Sequence, residues 1–161
     1  MLSKKELLFL SCLRKSARKN LTTISREVGM PVSTLFERLK KFEKSQIIKH
    51  TSLLNFNELG YSTRANMLIG ARKKDRDALK NFLSKSEFVN SVFKITNGYD
   101  FMVEAIFRSM AEMEKFLEHI EDKFSITKKT THFVIEDIER EKFLTDKGFV
   151  NPGEDMNLAK K

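Results

Sequence analysis

Apolar positions in the first sixty residues recur at helical spacing three times over. Leu7, Leu8, Leu10 and Leu13 form the inward side of a helix predicted over Lys4–Ser16. Ile24 and Val28 share a face of a second, over Leu21–Val28. Val32, Leu35, Leu39 and Phe42 make a stripe along a third, over Val32–Lys44, at the spacing of a buried helical face. Gly29 stands between the second and third helices, where the chain must reverse and positive φ is free of steric cost. The order is that of a helix-turn-helix. Ile47–Phe56 then has strand character with polar breaks, which predicts a small β-hairpin, a wing. Asn57–Gly60 is the expected junction.

The second half has a different rhythm. Strands are predicted over Tyr61–Ala71, Val89–Thr96, Phe101–Phe107 and Thr130–Ile138, and helices over Asp75–Leu83 and Ala111–Phe124. In the latter helix Met113, Phe116, Leu117, Ile120 and Phe124 repeat at helical spacing, with Ser109 or Ser125 as flanking caps. Asn97-Gly98 between two β-patterned runs is a hairpin signal. The order β-α-β-β-α-β is the ferredoxin-like split arrangement. The fold class is therefore α+β, a winged helix-turn-helix followed by a ferredoxin-like βαββαβ domain. The expected divisions are residues 1–60, 61–142 and a tail at 143–161.

Charge sharpens this picture. Residues 1–60 hold 12 Lys/Arg against 5 Asp/Glu, a net of +7, while the whole chain carries +8, so residues 61–161 hold only +1. A lysine-rich composition by itself would spread over both halves. The asymmetry points to a polyanion partner for the first half, double-stranded DNA. The polar side of the third helix shows Ser33, Thr34, Glu37, Arg38, Lys40, Lys41 and Lys44. Short hydroxyls suit close approach and arginine can address guanine bidentately, so Ser33, Thr34, Glu37, Arg38 and Lys41 are candidates for base-edge and backbone contacts. Lys40 and Lys44, with Lys49 and His50 on the wing, are candidates for phosphates. Phe36 stays open between a thymine methyl and packing against the wing, the second being favoured.

Other chemistry finds little footing. His50, His119 and His132 lie in separate elements, six glycines are scattered, and Cys12 is the only cysteine, so there is no metal-ligand spacing, phosphate loop or intrachain disulfide. Cys12 is expected to be a buried small hydrophobe. The acidic runs Glu112–Glu114 and Glu136–Glu139 read as solvated faces or interchain ion pairs. No catalysis and no cofactor are expected. No apolar run reaches bilayer length and the basic start leads straight into an amphipathic helix, so a cytoplasmic, nucleoid-associated protein is expected.

These features together resemble the Lrp/AsnC, or feast/famine, family of transcriptional regulators. The resemblance spans about residues 3–142. It is carried by Val28-Gly29-Met30, Arg38-Leu39, Phe42-Glu43, Ile47-Ile48, and Gly98-Tyr99-Asp100 within Thr96–Asp100. The chain departs where the family usually has Ser (here Pro31), Gly (here Gln46) and an acidic pair in the opening helix (here Lys4 and Lys5). The resemblance implies a DNA-binding transcription regulator that assembles as a homodimer or higher homo-oligomer, with tetramer and octamer open. It also implies an effector pocket for an amino acid or similar small molecule at the turn: Asn97, Gly98, Tyr99 and Asp100, with Thr131 as a weaker candidate. A glycine N–H could receive the carboxylate and Asp100 the ammonium. Two alternatives stand beside this reading. One is an architectural DNA-binding protein without effector. The other is an enzyme like the siroheme decarboxylases, which share the architecture but whose histidine- and arginine-rich tetrapyrrole motif is not seen here.

Overall fold

The computed structural model describes residues 2–146, so positions 147–161 of the expected tail lie outside the described residues. The described residues divide into two compact units, 2–53 with 138–146, and Leu54–Asp137.

The first unit is built on α1 (Lys4–Lys15), α2 (Leu21–Val28) and α3 (Val32–Phe42). A capping box starts α1: the Ser3 hydroxyl accepts from the Glu6 N–H, and the Glu6 carboxylate accepts from the Ser3 N–H at 2.8 Å. Two otherwise orphaned donors are thereby satisfied. Asn20 caps α2 through the Thr23 N–H at 2.8 Å. Gly29, at φ +66°, ends α2 in the left-handed conformation, the conformation a Cβ disfavours. Pro31 precedes α3 and gives no side-chain cap.

Phe9, Leu13, Ile24, Val28, Leu35 and Phe42 form the core of this unit, with the Phe9 and Phe42 ring centroids 5.7 Å apart. The expected core positions Leu7, Leu8, Leu10 and Val32 are not fully buried. Phe9 and Leu13 lead the inward side of α1, while Leu7, Leu8 and Leu10 are half-buried; the larger ring takes the centre of the three-helix junction. Val32, at the first helical position, is 41 % exposed, because the stripe meets the core only from Leu35 onward. Cys12 is likewise half-buried, its thiol 3.5 Å from a Glu27 carboxylate oxygen.

The expected wing hairpin does not form. Residues 47–55 have no strand structure, and Ile48 is fully exposed. The segment holds no glycine and no Asn-Gly or Asp-Gly pair on which two strands could turn, so nothing fixes a register. α3 also ends two residues early. The Phe42 carbonyl accepts from the N–H groups of Ser45, Gln46 and Ile47 at 3.1, 2.8 and 2.8 Å, which closes the turn without a glycine at Gln46.

In the second unit, β1 (Thr63–Ala71), α4 (Arg76–Lys85), β2 (Val89–Lys94), β3 (Phe101–Phe107), α5 (Met110–Lys123) and β4 (Ile126–Phe133) follow the expected order. All neighbouring strands are antiparallel, in the spatial order β2-β3-β1-β4, the ferredoxin-like arrangement. Met67, Ile69, Val103 and Phe107 face the helices and pack with Leu79, Leu83, Met113 and Phe116. The opposite side of the sheet carries Arg64, Asn66 and Leu68 from β1 and Met102 and Glu104 from β3, as the registers require. Ser109 caps α5 through the Glu112 N–H. Ser125 caps nothing; its N–H donates to the Asp75 carboxylate at 2.9 Å.

The last strand lies four residues before its predicted start. Pairing with β1, from Ala71↔Ile126 to Ala65↔Phe133, sets it, and the β-branched content of 130–138 does not. After Phe133 the chain leaves the sheet: the Val134 N–H donates to the Arg64 carbonyl, Asp137 pairs with the Arg64 guanidinium, and Ile135 and Ile138 are almost fully exposed. The acidic run at 136–139 is thus tied within the chain through Asp137.

Candidate functional site

The outward side of α3 and the turn after it present Ser33, Phe36, Glu37, Lys40, Lys41 and Lys44, all exposed. Their spacing places them on one face, opposite Leu35 and Phe42, whose burial fixes which face that is. Among the described residues the side chains of Ser33, Glu37, Lys41 and Lys44 form no hydrogen bond or ion pair, so they are available to a partner. Lys49 is exposed beyond them, and His50 Nε2 lies 3.2 Å from a Glu43 carboxylate oxygen.

Two candidates sit differently from the rest. Thr34 is half-buried at the edge of the row. Arg38 turns toward α1, where its Nη1 lies 3.0 Å from Glu6 Oε1. The Glu6 carboxyl is held below its ordinary range, first by the Ser3 N–H, then by the Ser3 hydroxyl, with Arg38 and Lys41 adding to it. Arg38 therefore locks α3 to the capped start of α1. Lys5, one of the two lysines that replace the family's acidic pair, braces the turn by donating to the Gly29 carbonyl at 3.0 Å. Only the folded helix packing brings these pairs together. Phe36 is not packed against a wing. It is 48 % exposed, with the Lys40 ammonium 4.4 Å from its ring centroid.

The second place of interest is the β2–β3 turn. Asn97 and Gly98 both have positive φ, +69° and +93°, as an Asn-Gly pair adopts in tight hairpins. Asp100 is already engaged. Its Oδ2 accepts from the Ala71 N–H at 2.9 Å and its Oδ1 lies 2.9 Å from Arg76 Nε. The carboxylate thus ties the end of β1 and the start of α4 to the turn. Each carboxylate oxygen therefore already has one partner inside the unit, and the side chain is only 16% exposed.

The neighbours of the turn come from β4. The Tyr99 hydroxyl is 2.8 Å from Thr130 Oγ1, and the Lys128 ammonium stands 4.4 Å over the Tyr99 ring. A Cβ at Gly98 would come within 2.6 Å of Lys128 Nζ, the mobile end of a side chain that can swing aside, so it is the positive φ that calls for glycine there. Thr131 pairs with Met67 and shares the helix-covered side of the sheet. The threonine that reaches the turn is Thr130. Lys128 and Thr130 were missed because the sequence placed β4 four residues late; a strand begun at Ile126 puts both on the turn's side. Away from the turn, a cleft between α4 and α5 is floored by Phe82, Phe88, Phe116 and Phe124. Among the described residues no group of three or more His, Cys, Asp or Glu could hold a metal ion, and no helix is long and apolar enough to cross a membrane.

A helix-turn-helix with a cationic outward face, joined to a βαββαβ unit, defines a class: DNA-binding transcription regulators with a ligand-binding domain. Residues 2–49 match the winged helix-turn-helix DNA-binding family model, and residues 65–143 match that of the Lrp/AsnC ligand binding domain. An uncharacterized HTH-type transcriptional regulator of Pyrococcus abyssi (strain GE5 / Orsay) is 30% identical over 137 residues, which cover 84% of this chain and 93% of that protein. The HTH-type transcriptional regulator FL11 of the same organism is 33% identical over 109 residues, covering 67% and 72%. Among solved structures, a transcriptional regulator of Neisseria meningitidis in complex with L-Met matches with a TM-score of 0.79 at 22% identity, covering 86% of this chain and 93% of that one. Escherichia coli AsnC matches with a TM-score of 0.75 at 18% identity, covering 86% and 95%; at these identities the structures speak to the fold. The chain belongs to the Lrp/AsnC family and is a DNA-binding transcription regulator.

Proposed function

We propose that this regulator is sequence-specific, that α3 is its recognition helix, and that its DNA affinity is gated by an amino acid or a similar small molecule. The observation that carries the DNA reading is the exposed row on α3, where among the described residues the side chains of Ser33, Glu37, Lys41 and Lys44 form no hydrogen bond or ion pair. Ser33, Thr34, Glu37 and Lys41 address base edges and nearby backbone. Lys40, Lys44 and Lys49 address phosphates. Arg38, held by Glu6, contributes its partly exposed guanidinium and the placement of the helix. The chain acts as a homodimer or higher homo-oligomer through the side of the sheet that the helices leave uncovered. It works in the cytoplasm, on the nucleoid.

The effector site is the turn Asn97–Asp100. Support comes from the L-Met carried by the Neisseria meningitidis relative and from the chemistry at the turn. The Lys128 ammonium beside Gly98 complements a carboxylate, and Thr130 and Tyr99 offer hydroxyls. Thr131, on the other side of the sheet, contributes through β4 only. Occupancy biases assembly and hence DNA affinity, with a coupling on the order of 1–3 kcal/mol.

Gel-shift titrations of the full chain across salt, on selected and on random duplexes, test the DNA reading. The expected result is a clear preference for selected duplexes. Equal affinity for both, with a steep salt slope, would establish the architectural alternative. A calorimetric screen of the common amino acids tests the gate: binding by at least one is expected, and binding by none would remove it.

A further inference from the structure

The apolar part of the α3 row has no role in the reading above. Phe36 is 48 % exposed and Val32, one turn earlier, is 41 % exposed. Neither belongs to the apolar cluster that α3 covers with its other face. Paired at i and i+4 on a helix surface, they form a small patch inside a row of hydroxyls and cations. Lys40 stands 4.4 Å over the Phe36 ring, which joins the patch to the cationic end of the row.

The major groove offers one apolar group to such a patch, the C5-methyl of thymine. Cytosine shows only a C5–H at the same place, and the remaining readable groups are hydrogen-bond donors or acceptors. A phenylalanine has no polar atom with which to read those edges, but it can bury a methyl. The cations beside it match a phosphate backbone and not an apolar protein partner.

We propose that Phe36 reads a thymine of the preferred site by packing on its C5-methyl, with Val32 extending the contact. This rests on α3 being the recognition helix, and it assigns that helix a shape-based contact beside its polar ones. It makes Phe36 a specificity-determining residue.

The test uses the full-length protein and duplexes enriched by it from a random pool. Each enriched thymine is replaced in turn by deoxyuridine, which removes the methyl and keeps every hydrogen-bonding group. At one or more positions the wild type should bind about fourfold more weakly, the equilibrium equivalent of one buried methyl group. Phe36→Ala should bind the thymine duplex less well and no longer distinguish it from the deoxyuridine duplex, with an unchanged salt slope. Equal binding of the two duplexes by the wild type at every position would overturn the assignment, as would full discrimination by Phe36→Ala. Failure to enrich any sequence would instead overturn the sequence-specific reading, and this contact with it.

Discussion

α3 and the Asn97–Asp100 turn were both expected to meet a ligand, and the fold treats them in opposite ways. α3 buries one face and, among the described residues, leaves the side chains of Ser33, Glu37, Lys41 and Lys44 without a hydrogen bond or ion pair. The turn spends its charged group inside the unit: Asp100 holds the Ala71 N–H and Arg76. A helix displays side chains by its period, so burying one stripe exposes the opposite one. A turn side chain can be captured by any element that folds against it, and its role is set by residues distant in sequence. On the reading proposed above, DNA meets the exposed row on α3, and an effector meets what the captured residues of the turn leave open, Gly98 and Lys128.

The largest effects should come from the two cores, which share no residue. Phe9→Ala should destabilise the first unit by about 3–5 kcal/mol and abolish DNA binding. Hydrogen-exchange protection over β1–β4 should persist. Phe107→Ala should do the reverse, opening the sheet first. If either variant lowers protection in both units equally, the units are not independent, and α3 and the turn cannot be separated by mutation.

Asp100→Ala breaks or sharpens the comparison at its weaker side. The lost carboxylate leaves the Ala71 N–H, at the end of a buried strand, without its acceptor, a loss of about 1–3 kcal/mol. The partly exposed pair with Arg76 adds little. A lower denaturation midpoint is expected. An unchanged midpoint would mean that Asp100 is free for a ligand after all. On α3 the expected loss is smaller and of another kind. Lys40→Ala with Lys44→Ala should lower the salt slope by about 0.9 for each phosphate contact removed and weaken binding to all sequences alike. Stability should be untouched, since both side chains are exposed.

Much of this was legible in the sequence. α2 and β3 fall on their predicted residues, and the order of all nine principal elements is as periodicity gave it, because burial of a stripe leaves a local trace. What was not legible depended on distant pairing. β4 begins at Ile126 because β1 fixes its register, although Val134, Ile135 and Ile138 made a later strand more plausible on propensity. Residues 47–55 form no strands for lack of turn chemistry, a signal that was present and outweighed by strand-like composition. Phe36 had a local signal too: its spacing from Ser33, Glu37 and Lys40 already put it on the outward side. The pairs Arg38–Glu6 and Arg64–Asp137 left no trace, since nothing in either local pattern marks the partner.

The smallest expected effect concerns acid, and it asks what Arg38 is for. The Glu6 carboxyl is depressed when folded, first by the Ser3 N–H, next by the Ser3 hydroxyl, then by Arg38 and Lys41. A depressed folded value means that this contact stabilises the first unit fully above the unfolded value, and that the stabilisation is lost as pH falls through the folded one. Denaturation followed from about pH 6 down to about pH 3, through the ordinary carboxylate range, should show that loss in the wild type. Glu6→Gln should remove this contribution from the profile. Asp75, lowered by the Ser125 side chain and N–H, supplies a similar acid-sensitive contact in the second unit. Asp75→Asn separates the two, because it should leave the Glu6 contribution intact. Arg38→Ala should then fall between wild type and Glu6→Gln, because the Ser3 hydrogen bonds outrank the guanidinium in holding the carboxyl down. A profile matching Glu6→Gln would make Arg38 the main anchor of that carboxylate and leave little of it for DNA. A profile matching the wild type would release Arg38 from α1 and return it to the exposed row.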